Sequence, residues 1–476
     1  MRSSEKQTLT ILHTNDIHSH FGSMSAIAAM INEERAQGGH LLVLDIGDHM
    51  DRMAVETEGT LGMANVDVLN LTGYDAITIG NNEGLTFTPE QLAQSYTGLL
   101  CPIVCGNVIE QGTGHPPAWM KPSVIVEKGP FRIGLLGATA PFNTFYELLG
   151  WQVTDPVQTL RDQVKVLREQ VDVIVVLSHL GLSTDKRLAE QVEGIDVVLG
   201  GHTHHVLEEP LLIGNTVLGA AGKFGQWIGR VVLERAGQAE PVQLVSSGCV
   251  PVQSGMLEEQ VSLAIATNRT EAERLLDQTA VITDQTLPVY YERESPFAIL
   301  LAQAVRHFTK AEISLVNAGQ LLGNLPQGNI TKGMLHSLCP SPINACTICL
   351  KGDQIREALE QSLLEEFFSK PIVGYGFRGR ILGILCVDGM EIRYDPNAPA
   401  YDKIQFIHVN GIPMDGKREY VVGTLDMFTF NVGYPSLAQG SNVQYYLPEF
   451  IRDLLEEELK RPGALEESLR HRWYQS

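Results

Sequence analysis

Five short segments carry side chains of the kind that hold metal ions, and each directly follows an apolar run: Asp16-Ile17-His18, Gly47-Asp48, Gly80-Asn81, Ser178-His179 and Gly200-Gly201-His202-Thr203-His204. Carboxylates and imidazoles are costly to bury unpaired, so several of them converging on one rim call for a compensating positive charge. A pair of divalent cations supplies it. Oxygen and imidazole donors without thiolate suit Mn, Fe, Zn, Co or Ni rather than a cysteine-rich structural zinc. A single Asp-x-His or Gly-Asp is more often a turn or a helix cap. The ordered set, each member after an apolar run, is what singles out a metal centre.

The apolar runs are residues 9–12, 41–44, 76–79, 103–105, 133–136, 173–177 and 197–199. They are β-branched and apolar at successive positions, the pattern of strands buried on both faces of a layered α/β domain. Such folds bind their ligands at the carboxyl ends of the strands, where the polar segments fall. Between the runs lie amphipathic stretches. One opens with Ser25 as a predicted N-cap, carries Ile27, Met30 and Ile31 at helical spacing, and stops at Gly38-Gly39. Residues 257–276 repeat the helical spacing in Leu257, Val261, Ala264, Ile265, Ala272, Leu275 and Leu276, and predict a connecting helix. Beyond it the pattern is mixed α+β. The predicted division is 1–256, a linker over 257–282, and 283–476.

Composition narrows the function. The chain has 476 residues, 44% hydrophobic and 19% charged, an ordinary globular profile. Its net charge of −21 repels phosphate backbones and anionic headgroups, so neither a nucleic acid polymer nor a membrane surface is an expected partner. No apolar run reaches the length of about eighteen residues that spans a bilayer. The polar start and the short run at 9–12 do not make a signal peptide, so a cytoplasmic location is expected if Met1 is the natural start. Seven cysteines, an odd number, do not suggest a disulfide framework. Cys346-Thr347-Ile348-Cys349 has metal-binding spacing but no second pair, and its β-branched context predicts a strand.

The run Ile11-Leu12-His13-Thr14-Asn15-Asp16-Ile17-His18-Ser19-His20 resembles the opening of the calcineurin-like metallophosphoesterases of the 5′-nucleotidase and 2′,3′-cyclic-nucleotide phosphodiesterase branch, and the other four segments follow in family order. The resemblance continues, more loosely, through Asn317-Ala318-Gly319, Asn324-Leu325-Pro326-Gln327-Gly328, Asn344, and Tyr434 after Gly433. It implies a four-layer αββα metallophosphoesterase domain followed by a C-terminal α+β substrate domain of the 5′-nucleotidase type. It also implies two divalent ions, one on Asp16, His18 and His204, the other on Asn81, His179 and His202, with Asp48 bridging. The implied reaction is hydrolysis of a nucleotide-like phosphomonoester or cyclic phosphodiester by a metal-bridging hydroxide.

Two departures qualify that picture. Where the family usually has Gly-Asn-His-Glu, this chain has Gly80-Asn81-Asn82-Glu83, and the aspartate that normally partners the histidine is absent across Gly84-Leu85-Thr86. An amide cannot protonate a leaving group, a loss of about 10²–10⁴-fold unless replaced. The catalytic candidates are Asp48, Asn82 and His20, with His49 and His205 also beside ligand motifs. The second departure is Leu322, where the family places a phosphate-gripping arginine. Arg378 and Arg380 are candidate replacements, and Asn317, Asn344 and Tyr434 complete the predicted substrate-binding set. Tyr434 matches one of two base-stacking aromatics, and Ile384 stands at the other. The competing expectation is a pseudoenzyme that binds metal and nucleotide as a sensor or scaffold.

Overall fold

The computed structural model describes residues 6–237 and 240–476. The expected polar start at residues 1–5 lies outside them. The chain divides into two compact units, Met1–Glu273 and Arg274–Ser476. Among the described residues no helix is long and apolar enough to cross a membrane.

All seven predicted runs lie in or beside strands of the first unit, among whose described residues two large sheets form. One has the strand order Gln243–Pro251, Trp227–Arg235, Gln7–Thr14, His40–Asp45, Ala76–Ile77, Ile103–Val104, Met120–Lys121. From Gln7–Thr14 onward its strands are parallel. The other has the order Leu211–Ile213, Thr216–Ala220, Val197–Gly200, Val173–His179, Phe131–Thr139, Ser123–Lys128, with a parallel centre and antiparallel edges.

Alternation along a strand assigns the two faces. In Val173–His179, Val173, Val175 and Leu177 join Leu9, Ile11, Leu42 and Leu44 of the other sheet in one core between the sheets. Ile174 and Val176 point the other way and pack with Leu160, Val164 and Leu188, from the helices Pro156–Leu167 and Leu182–Gln191. Helices Phe21–Ala36 and Met63–Thr72 pack with each other, and the former also lies against the strand His40–Asp45. Helix, sheet, sheet and helix are the four expected layers.

The first helix corrects one detail. It begins at Phe21, so Ser25 is inside it rather than its N-cap; the Ser25 hydroxyl donates to the Glu258 carbonyl at 3.0 Å and meets Ser262 Oγ at 2.8 Å. The stop is as expected, with the helix ending at Ala36 and Gly38 at φ 79°. The long second helix spans Glu259–Leu276. Up to Glu273 it belongs to the first unit, held by the Ser25–Ser262 contact and by Arg269 donating to Glu56 at 3.2 Å.

In the second unit, the helix Pro296–Thr309 packs into the core of a five-stranded sheet ordered Leu385–Asp388, Ile313–Asn317, Glu419–Leu425, Asn344–Lys351, Ser441–Phe450. A four-stranded sheet of this unit has the order Ile412–Pro413, Ile404–Val409, Met390–Tyr394, Trp473–Gln475. Cys346 and Cys349 are free thiols within the strand Asn344–Lys351, as their β-branched context predicts.

His13 shows how tightly the two sheets of the first unit are fitted. Its ring is 1% exposed, and a Cβ at Gly229, its partner across the ladder, would fall 1.9 Å from Nε2. A Cβ at Gly219, from the other sheet, would approach the same atom to 3.2 Å. Gly229→Ala is therefore expected to cost about 2–3 kcal/mol in urea unfolding, since the neighbour is a rigid ring in a closed core. Burial lowers the His13 pKa to about 4. The unfolded chain then takes up the proton first, so stability present above pH 6.5 is lost as pH falls toward 4, by up to about 3 kcal/mol. His13→Gln should flatten that part of the stability-against-pH curve; an unchanged curve would contradict this account of His13.

Candidate metal centre

Asp16, Asp48, Asn81, His179 and His202 all follow or end parallel strands, so their loops meet at one rim of the sheet sandwich. The loops are stitched together by backbone bonds. Asp16 N–H donates to the Gly47 carbonyl at 3.0 Å, His18 N–H to Asp48 at 2.8 Å, and Phe224 N–H to Asp16 at 2.8 Å. A Cβ at Gly47 would fall 2.5 Å from Gly80 N, and one at Gly80 would fall 2.0 Å from Asp48 Oδ1. The two glycines preceding ligand candidates are there because the backbones touch.

The backbone itself is strained at this rim. Asp16, His18, Asp48, His202 and His204, five of the seven expected ligands, have φ between 49° and 71°, as do Ser19 and Phe224. For residues with a Cβ this region costs about 1–2 kcal/mol each, and it persists only where surrounding bonds over-determine it.

Two groups of possible ligand atoms lie within 4.8 Å of one another among the described residues: Asp16, His18 and His204, and Asp16, Asp48 and His179. Asp16 Oδ1 is 3.4 Å from His204 Nε2, 3.8 Å from His18 Nε2 and 4.0 Å from His179 Nε2. Asp48 faces both groups, with Oδ1 3.4 Å from His179 Nε2 and Oδ2 3.8 Å from His18 Nε2. The Nε2 atoms of His18 and His204 are 3.2 Å apart. Asn81 and His202 sit beside these groups as a pair: His202 Nδ1–H donates to Asn81 Oδ1 at 2.8 Å, its backbone N–H to both Asp16 oxygens at 3.1 and 3.0 Å, and its ring centroid is 5.4 Å from that of His179.

His179 provides the test of whether a cation fits. Its Nδ1–H donates to the Ile46 carbonyl at 2.8 Å. Its Nε2 is buried, lies beside Asp48 without a hydrogen-bond partner among the described residues, and faces two carboxylates. A backbone carbonyl on the rear nitrogen is the usual way an imidazole ligand is oriented. Burial alone would lower the His179 pKa; Asp48 and then Asp16 outweigh it and push it up to about 10. Burial would raise the Asp48 carboxyl, but His179 and His18 hold it well below the usual range. His202 is shifted the other way, lowered by burial and by the charge on His179. The residues present fit divalent cations: the protonated imidazole stands where positive charge is required.

One residue of this machinery stands in the sequence only as the end of Gly80-Asn81-Asn82-Glu83, with no role of its own expected there. Glu83 is 1% exposed and accepts from the backbone N–H groups of Gly80 at 2.8 Å, Asp48 at 3.1 Å and Met50 at 2.8 Å, tying two ligand loops together. Burial and the charge of Asp48 raise its pKa to about 7. The available clue was its place at N3 of the helix Asn81–Thr86, behind a glycine N-cap.

The other catalytic candidates are placed as follows. Asn82 N–H donates to Asp48 Oδ1 at 2.8 Å, and its side-chain Nδ2 lies 2.9 Å from His18 Nδ1. His20 is exposed, its ring stacked on Phe224 with centroids 5.2 Å apart. His49 is buried against Asn65, with Nδ1 3.2 Å from its Nδ2, and His205 is exposed beside Thr203.

In the second unit the predicted substrate-binding residues are mostly interior. Asn317 is fully buried, its Nδ2 donating to Leu382 at 2.6 Å and its Oδ1 accepting from Gln320 at 3.0 Å. Asn344 Nδ2 donates to the Glu449 carbonyl at 2.8 Å. Tyr434 departs from its expected part in base stacking: its hydroxyl donates to Gly383 at 2.7 Å, and its buried ring packs against Phe367 and Phe428 at 6.0 and 5.9 Å. A ring so enclosed presents no face to a base. Ile384 is buried as well. Arg378 is half-buried, its backbone N–H donating to Ser341 Oγ at 3.1 Å, while Arg380 and Leu322 are exposed. Tyr375 and Phe430 are an exposed aromatic pair on this unit, stacked at 6.0 Å.

Comparison with known proteins follows the same division. Residues 9–206 match the calcineurin-like phosphoesterase family, and residues 272–439 match the family described as 5′-nucleotidase, C-terminal domain. An uncharacterized metallophosphoesterase of Bacillus subtilis (strain 168), YunD, is 35% identical over 461 residues, covering 94% of this chain and 98% of its own length. The trifunctional nucleotide phosphoesterase protein YfkN of the same strain is 26% identical over 403 residues, 75% of this chain but 27% of its length. The structure of Haemophilus influenzae NAD nucleotidase (NadN) superposes with a TM-score of 0.69 at 18% identity, over 99% of this chain and 97% of that one, a likeness of fold alone. Near-complete coverage by YunD, with both family matches in their expected order, makes this chain a member of the calcineurin-like metallophosphoesterases, phosphoester hydrolases here continued by a 5′-nucleotidase C-terminal domain.

Proposed function

We propose that the protein is a dinuclear metallophosphoesterase that hydrolyses a nucleotide-like phosphomonoester or cyclic phosphodiester, with the second unit binding the substrate. The observation that carries this reading is the two interlocking groups Asp16–His18–His204 and Asp16–Asp48–His179, with His179 Nε2 buried 3.4 Å from Asp48 Oδ1 and 4.0 Å from Asp16 Oδ1. Asp16, His18 and His204 would hold one ion, Asn81, His179 and His202 the other, and Asp48 would serve both. Divalent ions there supply Lewis acidity and charge neutralisation to an in-line displacement at phosphorus.

The chain's own residues orient and insulate. The Ile46 carbonyl fixes the ring of His179, and the Asn82 N–H fixes Asp48 Oδ1. His20, exposed beside Phe224, is the imidazole we assign to protonating the leaving oxygen in place of the histidine missing at position 82. Arg378 and Arg380 are the cations assigned to substrate phosphate on a chain of net charge −21. The name of YfkN, a trifunctional nucleotide phosphoesterase protein, favours a nucleotide-like substrate.

The direct test is turnover of p-nitrophenyl and bis-p-nitrophenyl phosphate with Mn²⁺, wild type against Asp48→Asn. The variant should lose more than about 100-fold, because loss of an outer-shell partner alone costs that order. Equal rates, or no metal-dependent turnover in the wild type, would contradict the reading. A second expectation concerns pH. Metal ligation must displace the proton that Asp48 and Asp16 hold on His179, so affinity should tighten as pH rises across about pH 6–8, by up to tenfold per unit for each proton released. Calorimetric titration with Mn²⁺ that gave a flat or falling affinity would show that His179 is not a ligand.

A further inference from the structure

Position 82 holds an amide where the family resemblance leads one to expect an imidazole; its backbone carbonyl accepts from the Thr86 hydroxyl of the same helix, and its other polar contacts run to a ligand candidate or to the loops that carry one. The backbone N–H donates to Asp48 Oδ1 at 2.8 Å. The side-chain Nδ2 lies 2.9 Å from His18 Nδ1 and donates to the Met50 carbonyl at 3.2 Å. Asn81 Nδ2 reaches Asn82 Oδ1 at 3.5 Å. In His18 it is Nε2 that faces Asp16, Asp48 and His204, at 3.8, 3.8 and 3.2 Å. Nδ1 is the rear nitrogen. It is shared by Asn82 and by Asp51, whose Oδ2 lies 3.5 Å away as a second, carboxylate partner of the ring.

We propose that Asn82 is a positioning residue for the metal centre: it holds the rear nitrogen of His18 and, through the same residue's backbone, a carboxylate oxygen of Asp48, so that the two present their ligand atoms together. The inference rests on the metal-centre reading above and adds to it a role specific to this chain. A primary amide carries a donor and an acceptor at the same reach. As placed, its Nδ2 meets a lone pair on Nδ1; by turning over, at the loss of the bond to the Met50 carbonyl, it would accept from Nδ1–H, the form a neutral imidazole has when Nε2 is the ligand. Outer-shell partners of this kind contribute about 10–100-fold to metal affinity. The amide's lack of a titratable proton, a defect for leaving-group chemistry, is no defect in this role.

The test is Co²⁺ binding by the full chain, followed by calorimetry and by the visible absorption of the bound ion, for the wild type, Asn82→Ala and Asn82→Asp. Asn82→Ala should weaken Co²⁺ binding by about 10–100-fold and shift the metal concentration for half-maximal bis-p-nitrophenyl phosphate turnover by the same factor. Asn82→Asp, isosteric and able to accept from Nδ1–H, should restore most of that affinity. Asn82→Leu, close in size and without hydrogen bonds, replaces the alanine variant if thermal melting shows the latter unfolded. Undiminished Co²⁺ affinity in the alanine or leucine variant, or an aspartate variant as weak as alanine, overturns the proposal while leaving the metal centre standing. Absence of Co²⁺ binding by the wild type overturns the metal-centre reading and this proposal with it.

Discussion

Asp16 and Asp48 are buried within reach of the same imidazoles, His18 and His179, at 0% and 2% exposure. Two carboxylates so removed from water repel each other and lack the solvation that would tolerate that repulsion, so positive charge must stand between them. In the protein by itself the protonated His179 meets the requirement, and the shifts of Asp48 downward and His179 upward are two sides of that one interaction. A divalent cation meets it more fully. The geometry of the rim follows from holding these charges together.

That geometry is expensive for the backbone and is maintained by the rest of the first unit. Left-handed conformations at Asp16, His18, Asp48, His202 and His204 turn side chains from three loops inward over a short distance. Glu83 accepts three backbone N–H groups of the loops at positions 48–50 and 80, and Asn15 bonds both Asp16 and the Gly222 carbonyl, at 2.8 and 2.7 Å. Beneath them, the parallel strands are locked by a core shared between two sheets, with His13 pressed against Gly229 as one measure of its closeness. The site is thus strained locally and rigid globally, the arrangement expected where function opposes local stability.

Much of this was legible in the sequence because the first unit obeys simple periodicities. Runs apolar on both faces, such as residues 173–177, report parallel strands covered on either side, and ligand types after five such runs report a rim. The hidden parts have physical reasons. Ser25 looks like a helix cap because its hydroxyl suits one, but the helix starts at Phe21 and the hydroxyl serves the contact with Ser262. Glu83 matches the family segment, but its task stays hidden because its partners are backbone N–H groups, which every sequence has. Asn317, Asn344 and Tyr434 have side chains suited to a nucleotide, yet tertiary packing turns all three inward, which spacing alone does not reveal. Tyr375 and Phe430 are far apart in the chain, and only the fold pairs them.

The account depends on cations lying between Asp16, Asp48 and the surrounding imidazoles. An anomalous difference map from crystals grown with Mn²⁺, recorded at the manganese edge, tests this most directly. The account predicts two peaks, one contacted by Asp16, His18 and His204, the other by His179 with Asn81 and His202, and Asp48 between them. No peak at this rim, or manganese bound elsewhere with His179 Nε2 still unligated, would contradict it.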